Sequence, residues 1–99
     1  MTGDEIRNLV VGQEITIHEY GRIYWIDHHK NGRLKDISRV REGKWWIEGA
    51  MLCYQMESGK LKGLDDCGEI YRNPDASRGS KKQYLHVKDY LIAALTTGE

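Results

Sequence analysis

Glycine-centred turn signals fall at residues 21, 32, 43, 49 and 59, most of them spaced by roughly ten. Short β-prone segments lie between them. That rhythm marks an antiparallel meander, in which each short strand must be followed by a reversal. Ile15 and Ile17 alternate with Glu14, Thr16 and His18, the period of two expected of a half-buried strand. Ile23–Asp27 is strongly β-prone, and Asn31-Gly32 is a dipeptide favoured in tight hairpins. Leu34, Ile37 and Val40 continue on the return strand, with an irregularity near Asp36 that reads as a bulge, and Glu42-Gly43 turns again. Lys44–Glu48, Met51–Met56 and Cys67–Arg72 read as further strands, and Asn73–Ser80 is a polar loop with the single proline. Six or seven strands in 99 residues predict one mainly β domain, an antiparallel meander curled into a small barrel-like sheet.

The two ends depart from this period. Thr2 and Glu5 form the S/T-x-x-E pattern of a capping box, and Ile6, Leu9 and Val10 have helical spacing. An amphipathic helix over Gly3–Val11 follows, stopped by Gly12. Lys82–Lys88 alternates like a strand, whereas Val87, Tyr90, Leu91, Ala94 and Leu95 fall at helical spacing. The expectation there is a strand followed by a short helix.

Charge narrows the function classes. Fifteen basic and fifteen acidic residues cancel, which argues against a partner held by bulk positive charge, such as nucleic acid or an anionic membrane. No apolar run approaches the roughly 18 residues of a membrane-spanning helix. The opening MTGDEIRNLVVGQE lacks the basic and apolar regions of a signal peptide.

Cys53 and Cys67 are not in C-x-x-C spacing, and two cysteines alone do not make a structural zinc site. They lie in segments on either side of the turn-rich stretch Glu57–Asp66, and neighbouring strands would bring them within disulfide reach. The bridge favours an oxidising compartment; the alternative is a pair of buried thiols in a cytoplasmic protein.

The run GKWWIEGAMLCYQ, followed after a spacer by DDCGEIYR, resembles a family of small, mostly alphaproteobacterial envelope domains of unknown function. Such domains open on a helix similar to TGDEIRNLVVGQ and a strand pair similar to YWIDHHKNGRL, and the likeness covers roughly Thr2–Arg72. It implies export to the periplasm or beyond, a disulfide and a lipocalin-like fold, and no particular activity.

Several residues could carry chemistry. Lys30, Arg33, Lys35, Arg39, Arg41 and Lys44 make a basic stretch that runs into Trp45 and Trp46. Basic residues beside aromatics can bind single-stranded nucleic acid, but a solvated hairpin protected by its charges explains them as well. In a strand Trp45 and Trp46 point to opposite faces. Ile47 shares the face of Trp45 and places it in the core; Lys44 and Glu48 place Trp46 on the wetter side. Trp46, Trp25, Tyr24, Arg33 and Lys35 are therefore the candidate binding residues. His28 and His29 point apart and would need His18 or His86 as a further metal ligand. Asp65, Asp66 and Glu69 surround Cys67 without the spacing of a calcium loop. No phosphate loop or nucleophile elbow occurs, so no cofactor and no metal is expected. The leading expectation is a non-catalytic envelope module that binds a small apolar ligand or a protein partner. A small enzyme using Asp27, His28 or Glu48 in a barrel mouth is the alternative, and nucleic-acid binding through Lys30–Lys44 is a weaker one.

Overall fold

The computed structural model describes residues 1–19, 21–38, 40–59, 62–73, 83–88 and 92–97. Thr2 caps the first helix as the sequence predicts. Its hydroxyl accepts from the Glu5 N–H at 3.2 Å, and the Glu5 carboxylate accepts from the Thr2 N–H at 2.9 Å. This helix, α1 (Gly3–Val10), turns Ile6 and Val10 into the core, where both are fully buried.

Eight strands follow: β1 (Glu14–Glu19), β2 (Arg22–His28), β3 (Arg33–Asp36), β4 (Arg41–Glu48), β5 (Met51–Met56), β6 (Asp66–Arg72), β7 (Tyr84–Val87) and β8 (Ile92–Thr97). Each pairs antiparallel with the next, and β8 pairs with β1 to close the barrel. Alternation sends Ile15, Ile17, Ile26, Leu34, Trp45, Leu52, Ile70 and Leu95 inward to form one core with α1. Two glycines let the sheet curl. A Cβ on Gly43 would collide with the Gln55 carbonyl of β5, and one on Gly68 would come within 2.5 Å of the Val87 carbonyl of β7.

Two expectations need correction. The described residues form eight strands rather than six or seven, because residues 92–97 form β8 instead of a helix. Ala94 and Leu95 fit the helical spacing, but Ala93 and Leu95 fit a period of two, and the exposed edge of β1 decides between them: Ile17 pairs with Leu95 and His18 with Ala94. Tyr90 and Leu91 lie outside the described residues. The return strand also stops at Asp36, and its register with β2 and β4 runs without an inserted residue over the described pairs. Ile37 and Val40 belong to the following turn and are 45% and 85% exposed, while Glu42 and Gly43 lie within β4.

The helix seats at one end of the barrel. Gly3 packs against the Gly49 carbonyl in the β4–β5 turn, and the Arg7 guanidinium lies 5.8 Å from the centre of the Trp45 ring. The opposite end, where β1 meets β2, β3 meets β4 and β5 leads into β6, is open and carries a cavity.

Candidate functional site: a charged barrel mouth

A cavity of about 460 Å³ opens at the end away from α1. This lies within the size range of small-molecule sites. Its walls come from inward positions of neighbouring strands: Ile17, Tyr24, Ile26, Leu34, Tyr54 and Met56. An eight-stranded barrel is just wide enough to be filled by its own side chains or to hold one small ligand. Here α1 and Trp45 fill the closed end and leave the mouth open.

The rim is charged. Following each strand's inward face one step past its apolar residues gives Glu19, Arg22, Asp36, Arg41, Asp66 and Lys88, all lining the cavity. Taken in strand order, acids and bases alternate, interrupted only by Met56 on β5. The rim position of β8 lies outside the described residues. Asp36, fully buried, accepts from the Ser38 hydroxyl and from Arg41 Nη2 at 2.9 Å. Lys88, whose side chain is 4% exposed, donates to Glu19 at 3.1 Å and to Asp66 at 2.8 Å. Pairing of this kind is what allows a charge to sit away from bulk water. The Arg41 Nε is buried with no partner, and Arg22 is exposed.

Beneath the cavity floor lies a polar cluster. His28 Nε2 is 2.8 Å from the Tyr54 hydroxyl, and His28 Nδ1 faces the carbonyls of Ile26 and Gln13 at 3.1 and 3.3 Å. His86 Nε2 lies 2.9 Å from the Leu52 carbonyl, and its ring stands edge-on to Tyr54. Burial pushes His28 and His86 down to a pKa of about 4, and pushes the Tyr54 phenol up. All three are uncharged at neutral pH.

The candidate residues are distributed unevenly. Tyr24 lines the cavity. Trp25 stands on the outer face of β2 and is 42% exposed. Trp45 is buried at 3% exposure and donates its indole N–H to the His29 carbonyl at 2.9 Å. Trp46 is half-buried on the outer face of β4, paired in register with Cys53. Arg33 is engaged by Glu57 at 2.7 Å, and Lys35 is exposed opposite Asp27 and Glu42. Arg33, Lys35 and Lys44 face outward while Arg41 faces the cavity, so the basic stretch does not form one surface; Arg39 lies outside the described residues. Asp27 and His28 occupy opposite faces of β2, and Glu48 lies by the β4–β5 turn near α1; the fold does not gather them at the open mouth.

Cys53 and Cys67 are directly opposed on β5 and β6 and form a disulfide, with Cα atoms 4.1 Å apart. Glu48 and the two cysteines present ligand-type atoms within 4.8 Å of one another, but the bridge consumes both thiolates. Among the described residues, no helix is long and apolar enough to cross a membrane. The chain matches no protein-family model, and neither a curated protein nor a solved structure is detectably similar to it.

The charged rim is the feature that sequence reasoning missed. A signal for it existed: Ile15 and Ile17 continue to Glu19 with the same parity, and Ile26 and Tyr24 continue to Arg22. Each charge, met beside a turn, reads simply as solvated.

Proposed function

We propose that this protein is a non-catalytic binding module that holds one small, largely apolar ligand in the mouth of its barrel, in an oxidising extracytoplasmic compartment such as the periplasm. The observation that carries the reading is the 460 Å³ cavity with apolar walls and a charged rim. Apolar walls reward burial of a tail at about 25 cal/mol per Å². The rim keeps the entrance wetted and can orient a polar end. The disulfide supports the compartment, because such bridges persist where thiols are not kept reduced.

Titration with the apolar fluorophore N-phenyl-1-naphthylamine tests it. The expected result is saturable binding of one dye per chain. Met56→Trp, which fills the cavity from its rim, should abolish binding while the melting temperature is kept. Dye binding that is unsaturable, or unaffected by Met56→Trp, would overturn the reading.

A second reading, contact with a protein partner, rests on the outer face. Ile23 and Trp25 share the outward side of β2 and are 43% and 42% exposed, and Ile92 on nearby β8 is 61% exposed. Apolar residues grouped on an outer face mark contact surfaces. Under this reading Trp25→Ser should leave dye binding intact and abolish any self-association seen by sedimentation; unchanged sedimentation would count against a self-contact there.

A further inference from the structure

The charges of the rim are not evenly shared. On the arc formed by β2, β3 and β4 stand Arg22, Asp36 and Arg41, two bases and one acid. On the arc running from β6 through β7 and β8 to β1, the described residues are Asp66, Lys88 just past β7, and Glu19, two acids and one base. The strand order sets these arcs facing each other across the mouth. Within each arc, the minority charge is the most buried. Asp36 is enclosed by Ser38 and Arg41, and Lys88 lies between Glu19 and Asp66. Each arc therefore presents to a ligand a net charge of its majority sign, carried by the more exposed groups: guanidinium, including the unpartnered Arg41 Nε, on one side and carboxylate on the other.

From this we infer that the mouth recognises a dipolar head group, an anionic oxygen group joined through a short linker to a cationic nitrogen, carried on an apolar tail. The anionic group sits against Arg22 and Arg41, the nitrogen against Glu19 and Asp66, and the tail among Ile17, Ile26 and the other apolar walls. The charges of the rim cancel among the described residues and so repel neither end of such a ligand, whereas a singly charged head meets one arc of its own sign. The inference rests on the cavity-binding reading given above.

Calorimetric titration with four ten-carbon amphiphiles below their micellar concentrations tests it: decylphosphocholine, decyl sulfate, decyltrimethylammonium and decanol. Decylphosphocholine should bind about tenfold tighter than either singly charged compound, a difference of about 1.4 kcal/mol. Arg22→Gln should weaken decylphosphocholine and decyl sulfate and spare decyltrimethylammonium. Glu19→Gln should do the reverse for the two singly charged heads while also weakening decylphosphocholine. Arg22 is exposed, so its variant keeps the test open should Glu19→Gln fold poorly. Equal binding of all four compounds, or a singly charged head that binds as tightly as the dipolar one, overturns this inference and leaves the cavity reading standing. Failure of all four to bind, decanol included, removes both.

Discussion

The Tyr54 hydroxyl of β5 and the His28 imidazole of β2 meet at 2.8 Å inside the barrel, joining strands that are not neighbours in the sheet. His28 Nδ1 faces two backbone carbonyls and so carries the proton; Nε2 is left to accept from the tyrosine. Tyr54→Phe keeps the ring and removes the donor. The buried nitrogen then loses its partner, which costs about 1–3 kcal/mol. Urea denaturation should show that loss with an unchanged slope. A variant as stable as the parent would mean that the bond contributes nothing net.

Acid should unfold the protein through its histidines. Unfolded, an imidazole titrates at 6.5; in the barrel His28 and His86 titrate at about 4, because burial disfavours the charged ring. Between those values the unfolded chain binds more protons. Stability from these two groups is therefore complete above pH 6.5 and falls as the pH drops towards 4, by at most about 3 kcal/mol for each. Melting temperatures measured from pH 8 to pH 4 should decline mainly below 6.5. In His86→Leu the decline should be shallower, and a slope unchanged in that variant would exclude His86 as a contributor.

The adjacent tryptophans should differ. Trp45 fills the interior beside His28 and α1, whereas Trp46 lies on the outer face. Trp45→Ala should cost about 3–5 kcal/mol by leaving a cavity, and Trp46→Ala distinctly less. Thermal melts of the two variants decide this. A larger loss from Trp46→Ala would mean that packing over the disulfide matters more than the core contact.

Reduction should weaken the fold without dispersing it. The Cys53–Cys67 bridge closes a loop with a sequence separation of 14, for which chain entropy gives about 3 kcal/mol. Intact mass under non-reducing conditions should be two hydrogens below that of the reduced chain. After mild reduction, alkylation should reach half-buried Cys67 before Cys53, which is fully enclosed. Two thiols that react freely before any reductant is added would contradict the bridge.

Single-stranded nucleic acid should bind negligibly at physiological salt. The basic stretch between Lys30 and Lys44 is divided between two faces: Arg33, Lys35 and Lys44 point outward, Arg33 being held by Glu57, whereas Arg41 lines the barrel mouth. Micromolar affinity that falls steeply with added salt would restore nucleic acid as a partner.

Local chemistry made much of the fold legible. Thr2 and Glu5 announce their capping box, and Asn31-Gly32 announces a reversal in which the Asn31 side chain accepts from the Arg33 N–H. The identity of the inward face of β4 followed from Ile47 beside Trp45. What stayed hidden depends on distant strands. Ile37 and Val40 look like core residues until the short β3 leaves them in a turn. Residues 92–97 look helical until the open edge of β1 claims them. The charged mouth is the extreme case, since its members come from five strands and from Lys88 just past β7, and meet only when the ring closes.

That closure also governs how the molecule can form. Ile15 is paired with Thr97, so β1 keeps one row of backbone donors and acceptors unpaired until β8 has been synthesised. Contacts so far apart in sequence are slow to find. A nascent chain that has reached β7 presents two raw sheet edges at once, the situation in which β chains stick to one another. Folding is therefore expected to be late and nearly all-or-none, with a demand for chaperone shielding up to the moment the last strand docks.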